Sequence, residues 1–224
     1  MAKLYFLGGE NVVKRDSQEI NEAAFRDAAK SPRIVVFPWA RASFDKSYKR
    51  KKRLFDYFRS LGACIVDFAD YGDTFEEINR KVERSDLIYL SGGLASVLVE
   101  RLRKKSVDRL LRKYEGVVVG RSAGALALGK NCIVTKNRRN QRSSMISGIG
   151  LVDFTVKAHY KPSKDEVLKR LSKDEKIYAI AERSALVYDD GALSSMGEVY
   201  LFQNGEKTRI EPAKYVKNEP CKPF

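Results

Sequence analysis

The sequence predicts an α/β protein in which a mostly parallel sheet carries helices on both faces. The first 125 residues alternate short, wholly apolar strands with amphipathic helical stretches, a pattern typical of parallel sheets that are buried on both sides. Glycine-rich turns follow two of these strands, at 92–93 and 120–124. No apolar run approaches ~18 residues, so no membrane-spanning helix is predicted.

The elements of the first half follow in chain order. Predicted strands cover KLYFLGG, RIVVFPWA, ACIVDFA, DLIYLSGG and GVVVG, at 3–9, 33–40, 63–69, 86–93 and 116–120. Predicted helices cover 48–62, the region near Thr74 to Arg84, and 97–111. Functional sites of parallel sheets gather at the carboxyl ends of strands, and Ser91 and Ser122 both lie just past such ends.

The second half contains shorter, more strand-like segments at 131–136, 147–160, 177–193 and 198–210. Asp190-Gly191 and Asn204-Gly205 predict tight hairpin turns, and 163–175 predicts a helix. Because no repeat or low-complexity linker interrupts the 224 residues, we expect a single domain over 1–224. The polar, proline-punctuated segment 211–224 is expected to be a surface tail.

The formal net charge of +14 raises the question of nucleic acid, and the sharpest basic cluster lies at 48–62. Leu54, Phe55, Phe58 and Leu61 fall at helical spacing there, which favours an amphipathic helix whose basic start is solvated. Basic residues are also spread along the whole chain. We therefore expect no specific nucleic-acid partner, although such charge concentrates acidic small substrates by steering.

The three cysteines, Cys64, Cys132 and Cys221, are odd in number and widely spaced. This spacing predicts reduced thiols and neither a disulfide framework nor a zinc site. The first residues lack the long apolar stretch of a secretory signal. We expect a cytoplasmic protein without a membrane partner, either monomer or homodimer.

The segment YEGVVVGRSAGALALGK, at 114–130, carries the clearest chemical pattern. A Gly-x-Ser-x-Gly motif between an apolar strand and a small-residue helix is the pattern of a nucleophile elbow, which lifts the serine oxygen out of the sheet. The following helix N-terminus favours negative charge nearby. Ser122 is therefore the candidate nucleophile, and a purely structural turn is the alternative.

A serine nucleophile needs a base and oxyanion donors. His159 is the only histidine of the chain, so it is the candidate base, although a lone histidine is often structural. The backbone amide of Ala123 is the natural first oxyanion donor, and the turn at Gly92 and Gly93 can supply the second. A tight strand-to-helix turn without a catalytic role is the alternative for the glycine pair.

Five segments together resemble a known family across most of the chain: LYFLGG, LIYLSGG, GRSAGA, GIGLVDFTVKAHY and AIAERSALVYDDGAL. They are similar to the serine peptidases that include dipeptidase E and cyanophycinase. The resemblance implies a class I glutamine amidotransferase-like fold with serine in place of cysteine, cleavage of peptides at acidic residues, and no metal or organic cofactor. It also implies that Ser122 is the nucleophile and His159 the base, with the oxyanion bound near Gly92, Gly93 and Ala123.

In dipeptidase E an aspartate shortly after the nucleophile orients the histidine, and this chain lacks that aspartate. The matching stretch here is TKNRRNQ, with Asn137 at about that position, and no carboxylate occurs between Ser122 and Asp153. Glu182 is the preferred orienting residue, because it precedes a predicted strand that could pack beside the one carrying His159. Asn137 is the alternative.

Arginines near the elbow are candidates for binding a substrate carboxylate, because guanidinium binds carboxylates bidentately. The candidate substrate-binding residues are Arg121, Asn137 and Arg138, with Arg139 and Arg142 as further carboxylate partners.

The sequence thus favours a serine peptidase with a Ser-His-Glu triad, and the resemblance implies that it hydrolyses short peptides with acidic, N-terminal aspartyl residues. Two alternatives stay open. An α/β-hydrolase esterase also uses Gly-x-Ser-x-Gly, but usually has its acid before its histidine, where only Asp153 is available. A non-catalytic basic binding module would leave Ser122 idle.

Overall fold

The computed structural model describes residues 1–41, 48–134 and 144–212. The strands in these ranges are β1 (Lys3–Leu7), β2 (Arg33–Phe37), β3 (Ile65–Phe68), β4 (Leu87–Leu90), β5 (Val117–Arg121), β6 (Asn131–Val134), β7 (Ser144–Ser147), β8 (Thr155–Tyr160), β9 (Ile177–Ala181), β10 (Ala185–Asp189), β11 (Ala192–Met196), β12 (Val199–Gln203) and β13 (Glu206–Arg209). The helices are α1 (Gln18–Ala28), α2 (Tyr48–Ser60), α3 (Phe75–Glu83), α4 (Ala95–Lys104), α5 (Val107–Lys113), α6 (Ala123–Leu128) and α7 (Asp165–Leu171).

The first sheet has the strand order β11-β10-β1-β5-β4-β2-β3. Five neighbouring strands, β1, β5, β4, β2 and β3, run parallel to one another. Strands β10 and β11 extend the sheet beyond β1 as antiparallel strands. Helices α1 and α2 cover one face with residues such as Phe25 and Phe58. Helices α3 to α6 cover the other face with residues such as Ile78 and Leu98. The predicted α/β class with a mostly parallel, doubly covered sheet is confirmed.

The second sheet has the order β13-β12-β9-β8-β6-β7 and mixes parallel with antiparallel pairs. Helix α7 packs on it through Leu168, against Ile177 and Phe202. The two predicted hairpin turns are present. Asp190 and Asn204, like the glycines that follow them, have positive φ, as two-residue turns matching the strand twist require.

Three details differ from the predictions. Helix α1 was not predicted, because much of its buried stripe consists of small residues such as Ala23 and Ala24, which give a weak periodic signal. The stretch 97–111 forms two helices rather than one, since Ser106 adopts a left-handed φ of 56° between them. On α2, Phe55 is 42% exposed. The buried stripe there runs through Tyr57 instead, three residues after Leu54.

The polar tail begins against the first sheet, where the Ser195 amide donates to the Glu211 carbonyl. Residues 213–224 lie outside the described part. Within the described ranges, no helix combines the length and the apolar character needed to cross a bilayer.

Candidate active site

Ser122 occupies the sharp turn between β5 and α6, with φ 50° and ψ −101°. This is a strained conformation for a residue with a side chain, and such strain is typical of functional turns. The Ser122 amide donates to the Leu7 carbonyl at 2.9 Å, which ties the turn to β1. A Cβ at Gly120 would lie 2.6 Å from the Gly124 carbonyl carbon, and one at Gly124 would lie 2.4 Å from the Leu90 oxygen. Close packing therefore explains the glycine spacing of the motif.

His159 comes from the second sheet, near the end of β8. The parallel register between β8 and β9 shifts between Lys157 and Tyr160, and His159 adopts a φ of 54° within that irregularity. Bulges of this kind redirect a side chain. The Ser122 hydroxyl and His159 Nε2 are 2.6 Å apart, a hydrogen-bonding distance between candidate nucleophile and candidate base.

Glu182 directly follows β9 and lies on the far side of the imidazole. Its Oε1 is 2.5 Å from His159 Nδ1. The hydrogen bond from His159 lowers the pKa of Glu182, against the opposing effect of burial. An ionised carboxylate at Nδ1 fixes the proton on that nitrogen and leaves Nε2 free to accept the serine proton.

The strand reasoning behind Glu182 was wrong in one respect. The strand that follows Glu182, β10, pairs with β1 in the first sheet. The strand beside the histidine is β9, which precedes Glu182.

Gly8 and Gly9, at the carboxyl end of β1, join the two sheets at this point, and the sequence analysis did not assign them to the site. The Gly8 carbonyl accepts from the His159 amide, and the Gly9 carbonyl accepts from the Arg183 amide, both at 3.0 Å. A Cβ at Gly9 would lie 1.9 Å from Glu182 Oε2 and 2.8 Å from His159 Cε1. The signal for these residues was a glycine pair closing an apolar strand, the same context as Gly92 and Gly93.

The predicted oxyanion residues lie on neighbouring strand ends. Leu90 pairs with Gly120 across β4 and β5, so the Gly92–Gly93 turn stands beside the serine turn. Ala123 is the first residue of α6, where amides lack an intrahelical acceptor. Among the described residues, the backbone amides of Gly92, Gly93 and Ala123 enter no turn or loop hydrogen bond with another backbone group.

Arg121, the residue before the serine, is partly exposed. Its Nε would lie 3.0 Å from a Cβ at Gly92, so the side chain runs across the glycine turn. The charges of Lys161 and Arg183 also act on Glu182. The remaining predicted substrate residues, Asn137 and Arg138, lie outside the described residues, as do Arg139 and Arg142.

An α/β sheet that presents a serine on a strand–turn–helix, with a histidine on its hydroxyl, has the arrangement of a serine hydrolase. The model of peptidase family S51 matches residues 4–196. The chain therefore belongs to this family, that of dipeptidase E, and is a serine-type peptidase. The family resemblance drawn from the sequence is confirmed.

Solved structures of similar fold include a peptidase from an acI-B1 Actinobacterium, with a TM-score of 0.68 at 20% identity over 96% of each chain. A putative peptidase E protein from Listeria monocytogenes EGD-e has a TM-score of 0.66 at 20% identity, over 88% of this chain and 98% of that one. An uncharacterized peptidase of Listeria monocytogenes, Lmo0363, is 24% identical over 139 residues, which span 57% of this chain and 68% of the relative. The structural likenesses confirm the fold.

Proposed function

We propose that Ser122, His159 and Glu182 form a catalytic triad that hydrolyses short peptides whose N-terminal residue is acidic. The observation that carries the triad is the continuous chain of hydrogen-bonding distances, 2.6 Å from Ser122 Oγ to His159 Nε2 and 2.5 Å from His159 Nδ1 to Glu182 Oε1. The same three roles define serine peptidases on unrelated folds.

In the proposed mechanism, Ser122 Oγ attacks the scissile carbonyl carbon while its proton passes to His159 Nε2. Glu182 accepts the Nδ1 hydrogen bond and stabilises the imidazolium that forms. The new oxyanion is bound by the Ala123 amide and by an amide of the Gly92–Gly93 turn. His159 then gives the proton to the leaving amine, the C–N bond breaks, and an acyl-enzyme remains.

Deacylation repeats these steps with water as the nucleophile. His159 Nε2 takes a proton from the water, whose oxygen attacks the ester carbonyl. The collapse of the second tetrahedral intermediate returns the proton to Ser122 Oγ and releases the acid. No group other than these side chains and backbone amides is needed for the proton balance.

The charges around the triad support the acidic substrate. Arg121 precedes the nucleophile, and Lys161 and Arg183 act by charge on Glu182. The net charge of +14 adds a long-range attraction for anions. A carboxylate beside the scissile bond would meet a guanidinium capable of bidentate binding at Arg121.

The test uses purified protein, a serine-reactive fluorophosphonate, and the matched dipeptides Asp-Leu and Asn-Leu. We expect one phosphonate per chain in the wild type, none in Ser122→Ala, and a kcat/KM for Asp-Leu at least ~10-fold above that for Asn-Leu, as expected for one charged hydrogen bond. Full hydrolysis by Ser122→Ala would exclude the triad. Equal rates on the two dipeptides would exclude the acidic preference alone.

A further inference from the structure

We propose that Glu10 and Arg121 form a charge pair that binds the two opposite charges of an acidic N-terminal residue, Glu10 taking the α-ammonium and Arg121 the side-chain carboxylate. The inference rests on the proposed function and adds to it the reason for a free amino terminus. Glu10 follows the glycine on which the histidine–glutamate pair rests, and Arg121 precedes the nucleophile.

The position of Glu10 follows from the strand ends. Leu7 pairs with Arg121 across β1 and β5, and Glu10 lies three residues beyond Leu7. Gly9 lies between Leu7 and Glu10 in the chain, and a Cβ added at Gly9 would contact both Glu182 and His159. Glu10 and Arg121 are both partly exposed. Both side chains therefore stand at the same carboxyl edge of the first sheet as the reacting serine.

Neutral side chains from three other elements surround the Glu10 carboxylate, and two of them donate hydrogen bonds to it. Asn21 Nδ2 donates to Oε1 at 2.7 Å, and the Tyr89 hydroxyl donates to Oε2 at 2.9 Å. The Tyr57 hydroxyl accepts from Asn21 Nδ2 at 3.0 Å and lies within electrostatic reach of this carboxylate. Burial raises the pKa of both tyrosines, so their hydroxyls keep their protons. A carboxylate has about four acceptor sites, which leaves capacity for one further donor.

The Glu10 carboxylate lies within electrostatic reach of Arg121. Burial raises the pKa of Glu10, and the Arg121 charge opposes that rise. Among the described residues, the Glu10 and Arg121 side chains influence each other by charge and form no ion pair. The Glu10 carboxylate and the Arg121 guanidinium are thus not paired with each other.

The substrate has a matching pair of charges. In an N-terminal aspartyl residue the ammonium nitrogen and the carboxylate carbon are three bonds apart, and the scissile carbonyl carbon is two bonds from that nitrogen. Binding both charges next to Ser122 would place this carbonyl at the nucleophile. A Glu10 that only tied α1, α2 and β4 together would give no preference for a substrate with a free ammonium group.

The experiment measures kcat/KM for Asp-Leu and for N-acetyl-Asp-Leu, which lacks the ammonium charge. In the wild type we expect a preference of ~10–100-fold for the free amine, the range of a hydrogen bond to a charged group. Glu10→Gln should lower the value for Asp-Leu by most of that factor and leave N-acetyl-Asp-Leu within about twofold. The acetylated peptide therefore reports any general damage to the fold.

Two variants complete the design. Glu10→Asp keeps the charge and should recover part of the preference, whereas Glu19→Gln, an exposed glutamate on α1, should match the wild type on both peptides. An equal fall on both peptides in Glu10→Gln, or no fall on either, would overturn the assignment.

Phosphonate labelling separates this failure from that of the proposed function. A wild type that reacts with the phosphonate but cleaves both peptides equally well overturns only the ammonium site. A wild type that neither reacts nor cleaves overturns both proposals.

Discussion

The candidate nucleophile and the candidate base stand on two sheets that present side chains in different ways. The parallel first sheet presents Ser122 on a strand–turn–helix whose glycines pack backbone against backbone. The second sheet presents His159 on an irregular strand, at a register shift between β8 and β9. Both residues adopt positive φ, 50° at Ser122 and 54° at His159. Strain is thus present on each side of the hydrogen bond that joins them.

The serine position is therefore set by contacts within the first sheet, whereas the histidine position depends on contact between the two sheets. The elbow packs against Leu7 of β1 and Leu90 of β4, which belong to the same sheet. The histidine and Glu182 rest on Gly8 and Gly9 of the other sheet. Substitutions at this junction should therefore change catalysis without changing the elbow.

The largest expected effect comes from the base itself. His159→Gln should lower kcat on an acidic dipeptide by about 10⁶-fold, the scale found when a triad histidine is removed from a serine protease. Phosphonate labelling should also slow, because the same nitrogen activates Ser122. Undiminished labelling together with an undiminished kcat would mean that the second sheet takes no part in the chemistry.

The two junction glycines should separate catalysis from stability. In Gly9→Ala the new methyl group would meet the Glu182 carboxylate at 1.9 Å, and since that side chain can move away, we expect a loss of ~10–100-fold in kcat with little change in Tm. In Gly8→Ala the methyl group would meet the Ala181 carbonyl oxygen at 2.0 Å, so Tm should fall. Gly72→Ala, with no atom within 4 Å of its Cβ, is the control.

Kinetics and thermal melts on the three alanine variants check this contrast. If Gly9→Ala lost stability and kept its kcat, the junction would be structural only.

The smallest expected effect on kcat concerns Lys157, which is 5% exposed on β8 and is not one of the reacting groups. Burial lowers its pKa to about 8, from an ordinary value near 10.5 in the unfolded chain. Below pH 8 the lysine is protonated in both states and the full cost of burying the charge is present. Between pH 8 and 10.5 the folded state releases the proton first, so stability rises with pH.

Lys157→Met should therefore raise the free energy of unfolding at pH 7 by up to about 3 kcal/mol, the equivalent of that pKa change. The gain should shrink as the pH approaches 10.5, while kcat stays within a few-fold. Urea unfolding of both proteins at pH 7 and pH 10 checks the sign. If Lys157→Met were less stable than the wild type at pH 7, the contacts of the lysine side chain would contribute more to the free energy of unfolding than burial of its charge removes.

The sequence predicted the site residues of the first sheet from a motif, but it offered no motif for those of the second sheet. The second sheet's residues are positioned by contacts between the sheets. Ser122 was identified from Gly120 and Gly124, since their spacing around the serine leaves a motif in the sequence. His159 was identified because the chain has no other histidine. Its strand carries no motif, since the register shift at β8 depends on β9 and β1.

Glu182 was predicted because of the strand that follows it, whereas the strand beside the histidine is the one that precedes it. The structure nevertheless brings Glu182 to His159 Nδ1. Gly8 and Gly9 escaped notice because their role appears only once the two sheets meet. The same holds for the contacts of Glu10, whose donors come from helices and strands far away along the chain. The single-domain organisation stays a prediction.

The proposed triad depends on the Glu182 carboxylate at the end of β9, and kcat on one acidic dipeptide measures what that carboxylate contributes. Glu182→Gln keeps the size of the side chain and removes the charge that stabilises the imidazolium, so kcat should fall at least ~10²-fold, given the ~10⁴ for the equivalent change in a serine protease. Asn137→Ala, measured alongside, should cost much less. A Glu182→Gln variant near the wild-type kcat, with Asn137→Ala inactive, would contradict the account.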